Sequence, residues 1–260
     1  MIFNIKCELK RAVFSKTALL TFFIILISLL IGFSNGLKHL NDLKSHYDSI
    51  DVFFKYVGYD GSINLLCFIA PLLATLVFSN SYLQDKNSNF LKFIYLRIDK
   101  KRYIISRIIV NALSSGIIIV TALTVFLIII ISLLGLKTNP DSIFNITGPF
   151  AFLYQKSKWI YIVYFIINSF IFNAIFSTLA LGLSPFINNK YLSFLSSFVI
   201  YIISMTLFPY IGLSAFNMGL LFLTNTAVNE LFIIIYQSAL LILGIILFYL
   251  GVSYRNEKDL

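Results

Sequence analysis

Six long stretches of this chain carry no charged side chain, and nothing else constrains the fold so strongly. They run from Thr17 to Leu37, Gly61 to Gln84, Ile108 to Leu136, Trp159 to Asn189, Tyr191 to Asn229 and Leu231 to Tyr254. A helix needs about 20 mostly apolar residues to cross a bilayer's hydrocarbon core. The stretches lack the strict alternation of a membrane barrel strand and are far too long to be one. Only 12% of the residues are charged, about half the usual share in soluble domains. The sequence therefore predicts an all-α integral membrane protein, with one transmembrane domain over residues 1–260 and six spans.

The fifth stretch is too long for one span. Its 39 residues would extend about 58 Å as a helix, against a core of about 30 Å. Pro209, Gly212 and Gly219 lie within it, and each can interrupt a helix. The pattern predicts a span over about 192–212 and a re-entrant segment over 213–228, with a short seventh element as the alternative. Non-helical backbone at that depth must be covered by protein or line a wet cavity.

Charge sets the expected orientation. With the N-terminus inside, the inner segments hold fourteen basic and five acidic residues, and the outer segments six of each. Lys and Arg concentrate on cytoplasmic loops, so both termini are expected in the cytoplasm. Seven of the basic residues fall in one connection, Gln84–Arg107. Cys7 and Cys67 lie in different compartments on this reading and frame no disulfide. The first apolar stretch is too long for a signal peptide, and no A-x-A-like site follows it.

The expected span interiors contain no Asp, Glu, Lys, Arg or His, which disfavours an ion-coupled carrier. The chain has no G-x-x-x-x-G-K-[ST] loop, so any uphill work needs a partner that binds nucleotide. His39, Asp42 and His46 would fall near one helical face, a spacing compatible with metal ligation. Three solvated residues on an outer loop are the simpler reading, and no metal or bound cofactor is expected. Polar uncharged side chains are more frequent in spans three and four. Asn111, Ser115, Asn168 and Asn173 are candidates for a substrate path, although small polar residues also bind helices to one another. An amide facing lipid is costly, so Asn168 and Asn173 should face a neighbouring helix or a wet surface.

Two cytoplasmic elements have helical periodicity. In residues 1–16, Ile2, Ile5, Leu9, Ala12 and Val13 form an apolar stripe, with Asn4, Glu8, Arg11 and Ser15 opposite. That suits an amphipathic helix lying in the membrane interface, as an anchor or as a partner contact. In the 84–107 connection, Phe90, Leu91, Phe93, Ile94 and Tyr95 are too apolar for a solvated linker and too few to span. Ser88 or Asn89 is placed to cap a short helix there. Lys92, Arg97, Lys100, Lys101 and Arg102 would rim it, and its face would dock on anionic lipid or in a protein groove.

From Pro71 onward, PLLATLVFSNSYLQDKNSNFLKFIYLRIDKKRYIISRIIVNAL resembles the second span, coupling loop and third span of ABC-2 type permeases. These are the membrane subunits of type V ATP-binding-cassette exporters. The resemblance rests on Tyr82 and Asp85 closing a span, an apolar helix at Phe90 to Leu96, then Arg97, a basic cluster, Tyr103 and Arg107. The chain departs from the pattern in having Asp85 where Glu is common and Asn89 where Gly is often found. The resemblance implies a coupling helix with Asp85, Phe90, Leu91, Phe93, Ile94, Tyr95, Arg97, Lys100, Lys101 and Arg102 at the ATPase contact. It also implies two copies of a cytosolic ATPase carrying ATP and Mg, and a second permease subunit in a homodimer or heterodimer. Membrane lipid is a further expected partner, and nucleic acid is not. The Ile-, Asn-, Lys- and Phe-rich composition points to an AT-rich, low-GC Gram-positive genome, hence a bacterial plasma membrane. Exporters of this size there suggest a bacteriocin-like peptide, a drug or a lipid as cargo, or immunity to such a peptide. A non-transporting scaffold or sensor subunit, and a lipid-modifying membrane enzyme, are the alternatives. No acid, base or metal cluster near the bilayer favours the enzyme.

Overall fold

The computed structural model describes residues 5–37, 47–59, 65–136, 146–223 and 228–256, without the side chains at 35–37, 58–59 and 255–256. His39, Asp42 and His46 lie outside the described residues, as do 1–4 of the N-terminal segment and 224–227 of the expected re-entrant one. The helices in chain order are α1 (Ile5–Val13), α2 (Lys16–Leu37), α3 (Ser49–Phe54), α4 (Leu65–Leu76), α5 (Ser81–Asn87) and α6 (Phe90–Tyr95). They continue with α7 (Lys100–Leu134), α8 (Ala151–Lys156), α9 (Lys158–Leu183), α10 (Lys190–Tyr210) and α11 (Glu230–Asn256). No strand occurs among the described residues. Six helical segments are long and apolar enough to cross a membrane: α2, α4 with α5, α7, α9 with the turn after it, α10 and α11. They match the six uncharged stretches and are consistent with a multi-pass membrane protein.

The fourth span, α9, is the centre of the bundle. Every residue from Phe172 to Gly182 is buried, the polar Asn173, Ser177 and Thr178 included. It crosses α11 where Gly182 meets Gly244. A Cβ on Gly182 would lie 2.5 Å from the Gly244 carbonyl oxygen, and one on Gly244 would lie 3.0 Å from the backbone of Thr178 and Leu179. Only glycine lets the two backbones approach so closely.

The second span is broken. α4 contains Pro71 and stops at Leu76, and α5 starts again at Ser81. Thr75 and Ser79 return their hydroxyls to the carbonyls of Leu72 and Thr75, a habit that bends helices. Thr17 on α2 donates to the Val77 carbonyl within the break, at 3.4 Å.

At one end of the bundle, α3 differs from the solvated outer loop expected around it. All six of its residues are buried. Phe53 and Phe54 stack edge-on against Phe165, and Phe54 against Tyr161. Lys158, at the start of α9, lies 2.5 Å from Asp48 and 2.8 Å from Asp51. Tyr154 donates to the other Asp51 oxygen. Burial, and then that hydrogen bond, push the Tyr154 hydroxyl well above its ordinary pKa. A Lys between two carboxylates is what lets a fully buried Asp51 stay in the bundle.

The chain after α10 folds back against the same end through turns at Ser214–Phe216 and Met218–Leu221. Asn168 donates to the Leu221 carbonyl at 2.9 Å, Tyr236 to that of Phe216 at 2.8 Å, and the Met218 N–H to Ser204 at 3.3 Å. The segment is thereby fixed to α9, α10 and α11.

Candidate coupling site at the basic end of the bundle

The opposite end gathers α1, α5, α6, the first turns of α7 and the last turns of α9 and α11. The 35-residue α7 is about 52 Å long, well beyond a core of about 30 Å. Its first two turns are the stretch Lys100–Arg107, assigned from sequence to the connection. The connection itself reduces to the end of α5, the short α6 and a bend at 96–99. Arg107, expected just before the third span, is thus inside its helix.

α6 has two unlike faces. Leu91 and Ile94 point inward and are buried with Tyr82, Tyr103, Ile104, Leu181, Phe248 and Val252. This small core is separate from the main one and joins α5, α6, α7, α9 and α11. Tyr95 packs against it, edge-on to Tyr103 at 5.6 Å. Phe90, Phe93 and Leu96 face outward, 56%, 62% and 83% exposed. Lys92, Arg97, Lys101 and Arg102 surround them, also exposed. Lys100 turns away, its ammonium 3.3 Å from the Ser253 carbonyl on α11. The ten residues expected at the ATPase contact therefore divide into an anchoring set and an outward set.

Asn89 opens α6 with φ 56° and no side-chain capping bond. Its role is backbone shape and not the capping expected of it. The left-handed region is open chiefly to Gly and Asn, so Asn suits this position.

Asp85 belongs to a buried ionic group instead of standing free at the surface. Arg107 on α7 donates to Asp85 at 2.6 Å and to Glu8 on α1 at 3.1 Å. Tyr103 also donates to Asp85, at 2.7 Å. The guanidinium lies over the rings of Phe78 and Tyr103. Its side chain is 5% exposed, so the charge is held by its two carboxylates and the aromatic faces. Three helices, α1, α5 and α7, are tied by one cation. The sequence reading placed Glu8 on the solvated side of α1 and did not connect it to Arg107.

The four candidate path residues lie inside the bundle. Ser115 donates to the Asn173 carbonyl at 3.4 Å and lies 2.8 Å from Ser177, linking α7 to α9. The Asn173 amide returns to Ser169. Asn168 accepts from Gln237 on α11 at 2.8 Å, besides holding Leu221. The Asn168 amide thus bonds to partner elements, whereas that of Asn173 is buried and bonds within its own helix, so neither is left unpaired in lipid. Asn111 is fully buried, and its amide has no hydrogen-bond partner among the described residues.

Comparison with protein-family models, with curated proteins and with solved structures gives no match.

Proposed function

We propose that this chain is the permease subunit of an ATP-driven exporter of the ABC-2 kind. The observation that carries the reading is α6: an aromatic face turned outward, on a helix fastened from behind to the second, third, fourth and sixth spans. A helix with an exposed apolar face and a basic rim fits a groove on a partner protein. Its rear contacts would pass a push on Phe90 and Phe93 to the spans.

On this reading two cytosolic ATPase subunits, with ATP and Mg, dock on the α6 helices of a permease dimer. The basic end is then cytoplasmic, α1 lies in the membrane interface, and 213–228 re-enters the bilayer from outside. The cargo is amphipathic or hydrophobic, a bacteriocin-like peptide before a drug or lipid, since the span interiors give a charged solute little to bind. The Arg107–Asp85–Glu8 group keeps α1 in step with the second and third spans.

The test is retention of ATPase activity on the tagged chain purified from its native membrane. The wild type should bring an ATPase with it. Phe90→Ala with Phe93→Ala should insert normally and lose it, because aromatic anchors dominate such contacts. Lys101→Gln with Arg102→Gln should weaken retention less, and mainly at high salt. A wild type that carries no ATPase, or a double Phe variant that keeps it with transport intact, ends the reading.

A further inference from the structure

α1 stops at Val13 and α2 begins at Lys16. Ser15 makes the corner, donating to the Ala12 carbonyl at 2.8 Å and accepting from the Ala18 N–H at 3.1 Å. The corner turns Phe14 outward, 79% exposed. Beneath it, Phe14, Ser15, Lys16, Leu19, Leu20, Phe23 and Ile24 line an open groove of about 490 Å³. Sites for small molecules span roughly 300–1,000 Å³. Lys16 to Ile24 covers about 12 Å of helix, most of the about 15 Å depth of one leaflet's hydrocarbon.

The mouth of the groove is cationic. Lys16 is part of its lining, and Lys10 is exposed on the adjoining α1. Glu8 is the only acidic residue among 5–16, and its two oxygens face Arg107 at 3.1 Å and Arg11 at 4.0 Å, which leaves Lys10 and Lys16 beyond its reach as a countercharge. The positive charge is therefore only partly offset locally. An apolar floor reaching about half a leaflet from Leu19 to Ile24, with a lysine at its mouth, complements an acyl chain joined to an anionic headgroup.

We propose that this corner is a binding site for one anionic phospholipid, with an acyl chain along Leu19, Leu20 and Phe23 and the headgroup phosphate at Lys16. The inference does not depend on the ATPase reading. The site fixes where α1 leaves the interface for the first span.

Native mass spectrometry of the full-length chain, purified in detergent and stripped of lipid, tests it. The probes are phosphatidylglycerol and phosphatidylcholine with identical acyl chains. Phosphatidylglycerol should be retained in preference. Lys10→Gln with Lys16→Gln should lower its retention about 25-fold, at about fivefold per basic residue near a membrane surface, and leave phosphatidylcholine unchanged. Leu20→Trp fills the groove and should lower phosphatidylglycerol retention without moving the unfolding midpoint. Equal retention of both lipids, or undiminished phosphatidylglycerol on either variant, overturns the proposal. If Leu20→Trp splits a dimer at constant lipid load, the groove is a contact between copies and the proposal also falls.

Discussion

Arg107 donates to Asp85 at 2.6 Å, and that bond joins the end of the second span to the base of the third beneath α6. A cation this buried is stabilised by both of its carboxylates together. Among the described residues, removing it leaves Asp85 with only the Tyr103 hydroxyl and Glu8 with only the exposed Arg11, in a site where both carboxylates are largely covered. Arg107→Ala should therefore cost about 3–5 kcal/mol. Asp85→Asn should cost less, since Glu8 still neutralises Arg107. Thermal unfolding in detergent reports the order, and Asp85→Asn as the more damaging change would contradict the geometry.

The two faces of α6 should separate stability from partner binding. Leu91→Ala and Ile94→Ala each empty space in the small core with Tyr103 and Phe248. Each is expected to destabilise by about 2–5 kcal/mol. Phe90→Ala and Phe93→Ala alter exposed side chains, and each should stay within about 0.5 kcal/mol of wild type. Denaturation of the four single variants decides this, and equal losses on both faces would show that α6 is not seated as described.

Position 89 isolates a backbone requirement. At φ 56°, Asn89→Gly should be neutral to within a few tenths of a kcal/mol. Asn89→Val should lose about 1–2 kcal/mol, because Cβ meets the following carbonyl in the left-handed region. Stability of the two variants is the readout. A tolerated valine would mean that α6 starts in some other way.

The helix crossing gives a contrast between glycines. Gly182→Ala puts a methyl group on the Gly244 carbonyl and should destabilise by about 1–3 kcal/mol. A Cβ at Gly32 meets nothing within 4 Å, so Gly32→Ala should be neutral or stabilise by up to about 1 kcal/mol through helix propensity. Equal effects at the two sites would show that α9 and α11 do not meet at Gly182.

The spans could be read from the sequence because absence of charge over membrane length is a property of single stretches. α6 was legible too, as an apolar cluster inside a basic connection. Which of its residues turn inward was not, since a helix this short can be rotated without changing its pattern. The ionic groups were also hidden, because their partners are far apart in the chain. Glu8 and Arg107 are 99 residues apart, and Asp48 and Lys158 are 110 apart. Counting charges by loop placed Asp48 and Asp51 in solvent. The run Val52–Phe53–Phe54 beside them was the available sign that this loop is buried.

Lys158 gives the last prediction. Its ammonium lies within 2.8 Å of both Asp48 and Asp51, and Asp51 is fully buried. Lys158→Met keeps much of the side chain's bulk but leaves two carboxylates close together without that countercharge. It should cost about 3–5 kcal/mol. Asp51→Asn in the wild-type background should also destabilise, because Lys158 keeps only Asp48 and Tyr154 loses its charged acceptor. Combined, Lys158→Met with Asp51→Asn should recover part of the loss, since the double change removes a buried charge of each sign. A double-mutant cycle on unfolding free energy measures the coupling, and contacting charged pairs of this kind give about 0.5–3 kcal/mol. Purely additive losses would mean that α3 is held at this end by its phenylalanines alone, with the charges incidental to its seating.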